Sequence, residues 1–202
     1  MKIEALLFDL GKVLIDLNFD LAMERLAARC ALPRRRFEEV LLDGNWIRRY
    51  ECGEISTAEY HRYLCQRGRL QMELAEFQES WSAIFLPGLI VPEQLLANLK
   101  QRYPLILVSN TNECHADYIA KNYRVFDYFD AKVFSHEVGA LKPGLAIYEA
   151  AIAAAGRPAE ALFFTDDREE NICGACQFGM QAHQFTSVPR LIDALREHGV
   201  DF

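Results

Sequence analysis

The chain has 202 residues, which suits one domain of ordinary size or one carrying a modest insertion. With 51% hydrophobic and 25% charged residues and no low-complexity tract, it has the profile of a soluble globular protein and not of a disordered one. Its 22 basic and 29 acidic side chains leave a net charge of −7, which repels nucleic-acid phosphates and anionic lipid and argues against both as partners. An anionic ligand would therefore need a local positive charge, from a metal or a placed lysine.

No apolar run approaches the ~18–20 residues that span a bilayer. The start of the chain has an early acid, Glu4, and no long uncharged centre of the kind a signal peptide needs, so a cytoplasmic location is expected. The six cysteines are scattered, as reduced thiols are in such a compartment. Cys173-x-x-Cys176 has no second pair and no histidine at ligand spacing, and it sits in helix-like text, which disfavours zinc and redox roles.

In chain order, Ile3 to Phe8 reads as a buried strand that breaks at Asp9-Leu10-Gly11. From Asn18 to Phe85 the text is helical. An apolar stripe begins at Phe19, and its helix closes at Pro33. A second helix runs from Arg34 to Leu42, and a third from near Gly44 to Gly53. Ser56 and Glu59 form a capping-box pattern that opens a fourth helix, ending at Gly68; Leu74 to Phe85 carries a fifth. After Leu86-Pro87-Gly88 the pattern changes. Helices over 92–101, 112–122, 144–155, 169–178 and 189–198 alternate with strands over 105–108, 131–134, 162–164 and 181–185. This alternation means βαβ units and a parallel sheet covered on both faces. The expected architecture is α/β, with a three-layer core of residues 1–15 and 87–202 and an all-helical insertion over 16–86.

Ligands of open parallel sheets sit at the carboxyl ends of the strands. Those ends carry Asp9, Ser109-Asn110 and Thr165-Asp166-Asp167, and the loop after Phe134 leads to Lys142-Pro143. Crowded carboxylates need a counter-charge, and hard oxygen ligands suit Mg²⁺. Such an ion and Lys142 would hold a phosphate despite the net negative charge.

The ordered set Phe8-Asp9-Leu10-Gly11-Lys12-Val13, Leu107-Val108-Ser109-Asn110, Leu141-Lys142-Pro143 and Phe164-Thr165-Asp166-Asp167-x-x-x-Asn171 resembles the haloacid dehalogenase-like hydrolase superfamily. The insertion resembles that superfamily's helical cap. Within it, the motifs are similar to those of sugar-1-phosphate phosphatases and of the phosphatase domain of soluble epoxide hydrolases. The resemblance implies an Mg²⁺-dependent phosphatase acting on a small phosphorylated metabolite through an aspartyl-phosphate. Asp9 would be the nucleophile. Ser109 and the Asn110 amide would bind phosphoryl oxygens, and Lys142 would neutralise charge on the phosphoryl group and on Asp9. Asp9, Asp167 and the Gly11 carbonyl would hold the metal. Asp166 would lie beside the site and reach the metal through water, and Asn171 would orient Asp167 or a metal-bound water.

Phosphatases of that superfamily usually carry a second aspartate two residues after the nucleophile, which protonates the leaving group and then activates water. Here that position is Gly11, and Lys12 follows it. Such assistance is typically worth ~10²–10⁴-fold in rate. His115, Glu51 or Glu54 would be substitutes. The favoured alternative is a substrate whose leaving group needs little help, as in an anomeric or an acyl phosphate; the third is weak turnover, with the chain a phosphate-binding relative. A 2-haloacid dehalogenase would also use Asp9, on carbon, but Asp166-Asp167 would repel its carboxylate substrate. Trp46, Tyr50 and Trp81 read mostly as the apolar core of the insertion, with a site-facing Trp46 or Tyr50 as the alternative; Arg48-Arg49 could grip a polar substrate, and Arg34-Arg35-Arg36 reads as a solvated helix start. The sequence is compatible with a monomer or a homodimer.

Overall fold

A computed structural model describes residues 2–202; Met1, the first residue of the expected core segment, lies outside the described residues. The order begins β1 (Ala5–Phe8), α1 (Phe19–Ala27), α2 (Arg34–Leu41), α3 (Gly44–Glu51), α4 (Thr57–Arg67), α5 (Leu74–Trp81) and α6 (Glu93–Lys100). It continues with β2 (Leu105–Ser109), α7 (Glu113–Asn122), β3 (Ala131–Phe134), α8 (Ser135–Val138) and α9 (Leu145–Ala155). The last elements are β4 (Leu162–Asp166), α10 (Glu169–Gln177), β5 (Gln181–Gln184) and α11 (Val188–Glu197). Among the described residues no helix is long and apolar enough to cross a membrane.

The five strands form one parallel sheet in the order β3-β2-β1-β4-β5. Every residue of β1, β2 and β4 is buried. Helices cover both faces, so the central strands read as continuous apolar runs without alternation. Successive side chains still point to opposite faces. Leu6, Phe8, Leu105 and Leu107 join Leu96 of α6, Ile119 of α7 and Leu195 of α11. Ala5, Leu7, Ile106 and Val108 join Ile147 and Ala151 of α9 and Ala175 of α10. These are the three expected layers.

Helices α1 to α5 lie between β1 and β2 and gather around a separate apolar cluster that includes Leu26, Phe37, Tyr60 and Phe77. The chain enters and leaves this helical region side by side. Leu17 bridges antiparallel to Phe85, the Asn18 amide donates to the Ile84 carbonyl, and the Leu86 amide donates to the Asp16 carbonyl. The expected box opens α4: Ser56 Oγ accepts from the Glu59 amide, and the Glu59 carboxylate accepts from the Ser56 amide.

Two local features differ from the sequence reading. The fifth helix stops at Trp81 and tightens into a 3₁₀ turn over Ser82–Ile84, because Phe85 must turn extended to pair with Leu17. The short α8 directly after β3 was not expected. Its four residues are too few for a periodic signal, and Gly139 at φ 78 ends it. All six cysteines are free, and Cys173 and Cys176 lie exposed on α10. Arg34, Arg35 and Arg36 make exposed ion pairs with Asp20 and Glu39, in keeping with a solvated helix start.

Candidate active site

The register of the sheet assembles the site. Phe8 of β1 stands level with Leu107 of β2 and Thr165 of β4, so Asp9, Ser109 and Asp166 emerge together at the carboxyl edge. The Asp9 amide still donates to the Thr165 carbonyl, 2.9 Å away, which anchors the residue as it leaves the strand. Asp9, Ser109 and Asp166 are all buried.

Lys142 enters from the loop between α8 and α9, and its side chain is only 1% exposed. Its Nζ donates to Asp9 Oδ1 at 2.7 Å, Asp166 Oδ2 at 2.6 Å and the Val108 carbonyl at 2.8 Å, which uses all three ammonium protons. Burial works against the ammonium, but the two carboxylates outweigh it and raise its pKa above the usual lysine value. Burial dominates at Asp9 and pushes its pKa up to about 6; Asp166 adds to the rise and Lys142 opposes it. Asp167 is raised too, by burial first and then by the charge of Asp166.

One oxygen each from Asp9, Asp166 and Asp167 lies within 4.8 Å of the others. Three ionised carboxylates and one ammonium leave two negative charges at this edge, and the donors are hard oxygens, so the cluster fits a divalent cation. The Gly11 carbonyl accepts none of the backbone hydrogen bonds of its loop, consistent with a free ligand atom.

Two roles change. Asn171 does not orient Asp167. Its Nδ2 donates to both oxygens of Asp166, at 2.9 and 3.0 Å, and the Arg168 amide donates to Asp166 Oδ1 at 2.9 Å. Asp166 is therefore a fully buried acid held by Lys142, Asn171 and the backbone. Asn110 also turns away from a purely ligand-binding role. Its Oδ1 accepts from the Lys142 amide at 2.7 Å and its Nδ2 donates to the Lys142 carbonyl at 3.0 Å, so it clamps the backbone that carries Lys142.

A cavity of about 230 Å³ opens beside this cluster, between the sheet edge and helices α1, α3 and α5, with Gly11, Glu51, Trp81, Ser109 and His115 in its wall. A larger and more open depression, about 570 Å³, lies over the outer face of α3 and α4 and includes none of the strand-end residues. The inner wall receives Ile47 and Glu51 from α3, one helical turn apart. The neighbouring stripe of that helix turns elsewhere: Trp46 stacks on Tyr63, and Tyr50 bonds Thr57 in the interior. Trp46 and Tyr50 thus pack within the helical insertion, as their main reading had it, and Glu51 is the α3 residue that stands beside Ile47 in the cavity wall. Arg48 pairs with Glu54, and Arg49 lies over the Trp46 ring.

Leu17 packs beside Gly11: a Cβ there would stand 2.9 Å from Leu17 Cδ1, the end of a flexible side chain. Lys12, at φ 60, directs its ammonium to Asp16 and the Leu17 carbonyl within its own loop. Ser135 was missed. Its Oγ accepts from the Thr111 amide and lies 2.7 Å from the Glu51 carbonyl, joining α3 to the loop after β2. Its position at the end of β3 was the available signal.

A D-ribitol-5-phosphate phosphatase of Bacteroides thetaiotaomicron is 23% identical over 189 residues, covering 90% of this chain and 91% of its own. A crystal structure of a haloacid dehalogenase family enzyme of that organism, with magnesium and inorganic phosphate bound, is 26% identical with a TM-score of 0.78, covering 92% of this chain and 95% of its own. A predicted hydrolase of this type from Porphyromonas gingivalis, at 23% identity, covers both chains completely with a TM-score of 0.82 and speaks for the fold alone. The family model for haloacid dehalogenase-like hydrolases matches residues 3–179, and the chain belongs to that family.

Proposed function

We propose that the protein is an Mg²⁺-dependent phosphatase that hydrolyses a small phosphorylated metabolite, of the sugar- or polyol-phosphate class, in the cytoplasm. One observation carries this reading above the others: Asp9 leaves the central strand beside two further carboxylates and is held at 2.7 Å by a buried lysine. The similarity to a protein named as a D-ribitol-5-phosphate phosphatase, and to a structure with magnesium and phosphate bound, supports it.

Phosphoryl transfer is mostly positioning and charge neutralisation. Asp9 would attack phosphorus and form an aspartyl-phosphate, which water then cleaves. Lys142 keeps the nucleophilic oxygen fixed and offsets charge gathered around it. Ser109, buried at the end of β2, would donate to a phosphoryl oxygen. Asn110 and Asn171 act at one remove, by fixing Lys142 and Asp166. Asp9 and Asp167, with the Gly11 carbonyl, would hold the cation, with Asp166 behind them. Bound there, Mg²⁺ would neutralise the phosphoryl oxygens and favour the ionised form of Asp9. Residues 16–86 would act as a cap that closes the site to bulk water over the core of 1–15 and 87–202.

The test is phosphate release from a panel of sugar and polyol phosphates, with Mg²⁺ and with EDTA. Release that stops with EDTA and is abolished in Asp9→Asn is the expected result. Metal-independent chloride release from 2-chloropropionate would overturn it.

A further inference from the structure

We infer that Glu51, carried into the inner cavity by α3, protonates the leaving group and then deprotonates the attacking water, in place of the side chain missing at Gly11. This rests on the phosphatase reading and adds the proton donor that reading lacks.

Three groups were in view from the sequence, and their surroundings separate them. Glu54 is exposed and engaged with Arg48 and Arg49. His115 has both ring nitrogens occupied: the Asn112 amide donates to Nδ1 at 3.2 Å, and Nε2 donates to the Trp81 carbonyl at 3.3 Å. Its burial pushes the pKa down to about 4, so it is neutral and already bonded at working pH. Glu51 is different. It is half-buried, lines the cavity it shares with Gly11 and Ser109, and its carboxyl joins no ion pair among the described residues.

The backbone around Glu51 is built for this placement. Ser135 holds its carbonyl. Two residues on, Gly53 at φ 68 passes so close to α8 that a Cβ would meet the His136 carbonyl at 2.0 Å. The end of α3 is thereby seated against the core and not left to swing. The rest of the cavity wall is mostly apolar. At roughly 30 Å³ per water, the cavity holds the equivalent of about seven or eight waters, room for a small leaving group.

The proton balance closes. Asp9 Oδ attacks phosphorus and the bond from phosphorus to the leaving oxygen breaks. That oxygen takes the proton of the Glu51 carboxyl and departs as an alcohol. The Glu51 carboxylate then takes a proton from water as the water oxygen attacks phosphorus. The bond from phosphorus to Asp9 breaks, phosphate leaves, and Glu51 is again protonated. Burial supports this cycle by raising the Glu51 pKa to about 7, with the charge of Arg168 opposing the rise. The titratable and charged groups around it are Arg168 after β4, Cys52 beside it, Tyr60 of α4 and His115 across the cavity. A carboxyl of that pKa serves as acid and base near neutral pH.

The test compares wild type and Glu51→Gln on p-nitrophenyl phosphate, whose leaving group needs no proton, and on phenyl phosphate, whose leaving group does. On phenyl phosphate the variant should lose ~10²–10⁴-fold in kcat, and the fall in rate above pH about 7 expected of wild type should be absent. On p-nitrophenyl phosphate the variant should give a burst of one nitrophenol per site and then slow turnover, because Asp9 is phosphorylated freely but the aspartyl-phosphate is hydrolysed slowly. Equal rates in variant and wild type, or an equal loss on both esters without a burst, overturns the role of Glu51 and leaves the phosphatase reading standing. A wild type that releases no phosphate from any ester overturns both.

Discussion

Lys142→Met keeps most of the lysine stem and removes its charge. In the native protein the ammonium is the shared partner of two buried carboxylates, at 2.7 and 2.6 Å, and its side chain is 1% exposed. Removing one partner of a buried pair leaves an uncompensated charge and costs about 3–5 kcal/mol. For a domain of this size each kcal/mol moves Tm by about 2–4 °C, so a fall of roughly 6–20 °C is expected at neutral pH in EDTA. Two further signs follow. Excess Mg²⁺ should raise the Tm of the variant more than that of wild type, because a bound cation supplies the missing positive charge. The penalty should also shrink in acid. Asp9 already has a pKa pushed up to about 6, chiefly by burial, and losing Lys142 raises it further. A carboxyl with a raised native pKa binds its proton more tightly in the folded state, so its repulsive cost is fully present above that pKa and fades as pH falls through it. Thermal unfolding followed by circular dichroism, from pH 5 to 8 with and without Mg²⁺, reads all three. A Tm within about 2 °C of wild type at neutral pH in EDTA would refute the view that this ammonium holds the acid cluster together.

Other perturbations probe the supports of the site. Asn171→Ala removes both hydrogen bonds of its amide to Asp166 and should cost about 1–3 kcal/mol in urea unfolding; an unchanged midpoint would mean that water replaces the amide. Gly53→Ala meets a left-handed φ of 68 and the carbonyl of His136 at once. The conformational part alone is worth about 1–2 kcal/mol, and phosphatase activity should fall with stability because α3 carries Glu51; activity held at wild-type level would separate the two. His115→Gln should flatten the acid limb of the stability curve. The native pKa of His115 is lowered to about 4 from the model-compound 6.5 by burial, so the unfolded chain binds the extra proton first. Stability present above 6.5 is lost as pH falls toward 4. The loss reaches about 3 kcal/mol at most, and parallel curves for variant and wild type would count against it.

Much of this was legible along the chain. Continuous apolar runs marked β1, β2 and β4 because a sheet covered on both faces has no polar side to report. The Ser56–Glu59 box and Gly68 placed the ends of α4 through local backbone chemistry. The acids of the site were visible as strand-end residues, since the chain must break where a strand meets its ligand loop. Asn171 illustrates where that legibility stops. Its spacing from Asp166 and Asp167 differs by one residue, and a helix start can present an amide to either; the turn taken by Arg168 selects Asp166.

Sequence by itself determined the order of the elements, the parallel class of the sheet and which acids stand at its edge. Each of those is written in periodicity or in a break of it, over a few residues at a time. Tertiary structure alone decided that Asn110 clamps Lys142, that Leu17 fills the space beside Gly11, and that α3 turns Glu51 inward and Trp46 outward. Those outcomes depend on strand register and on how two apolar clusters dock, which are relations between residues far apart in the chain, and no local pattern encodes them.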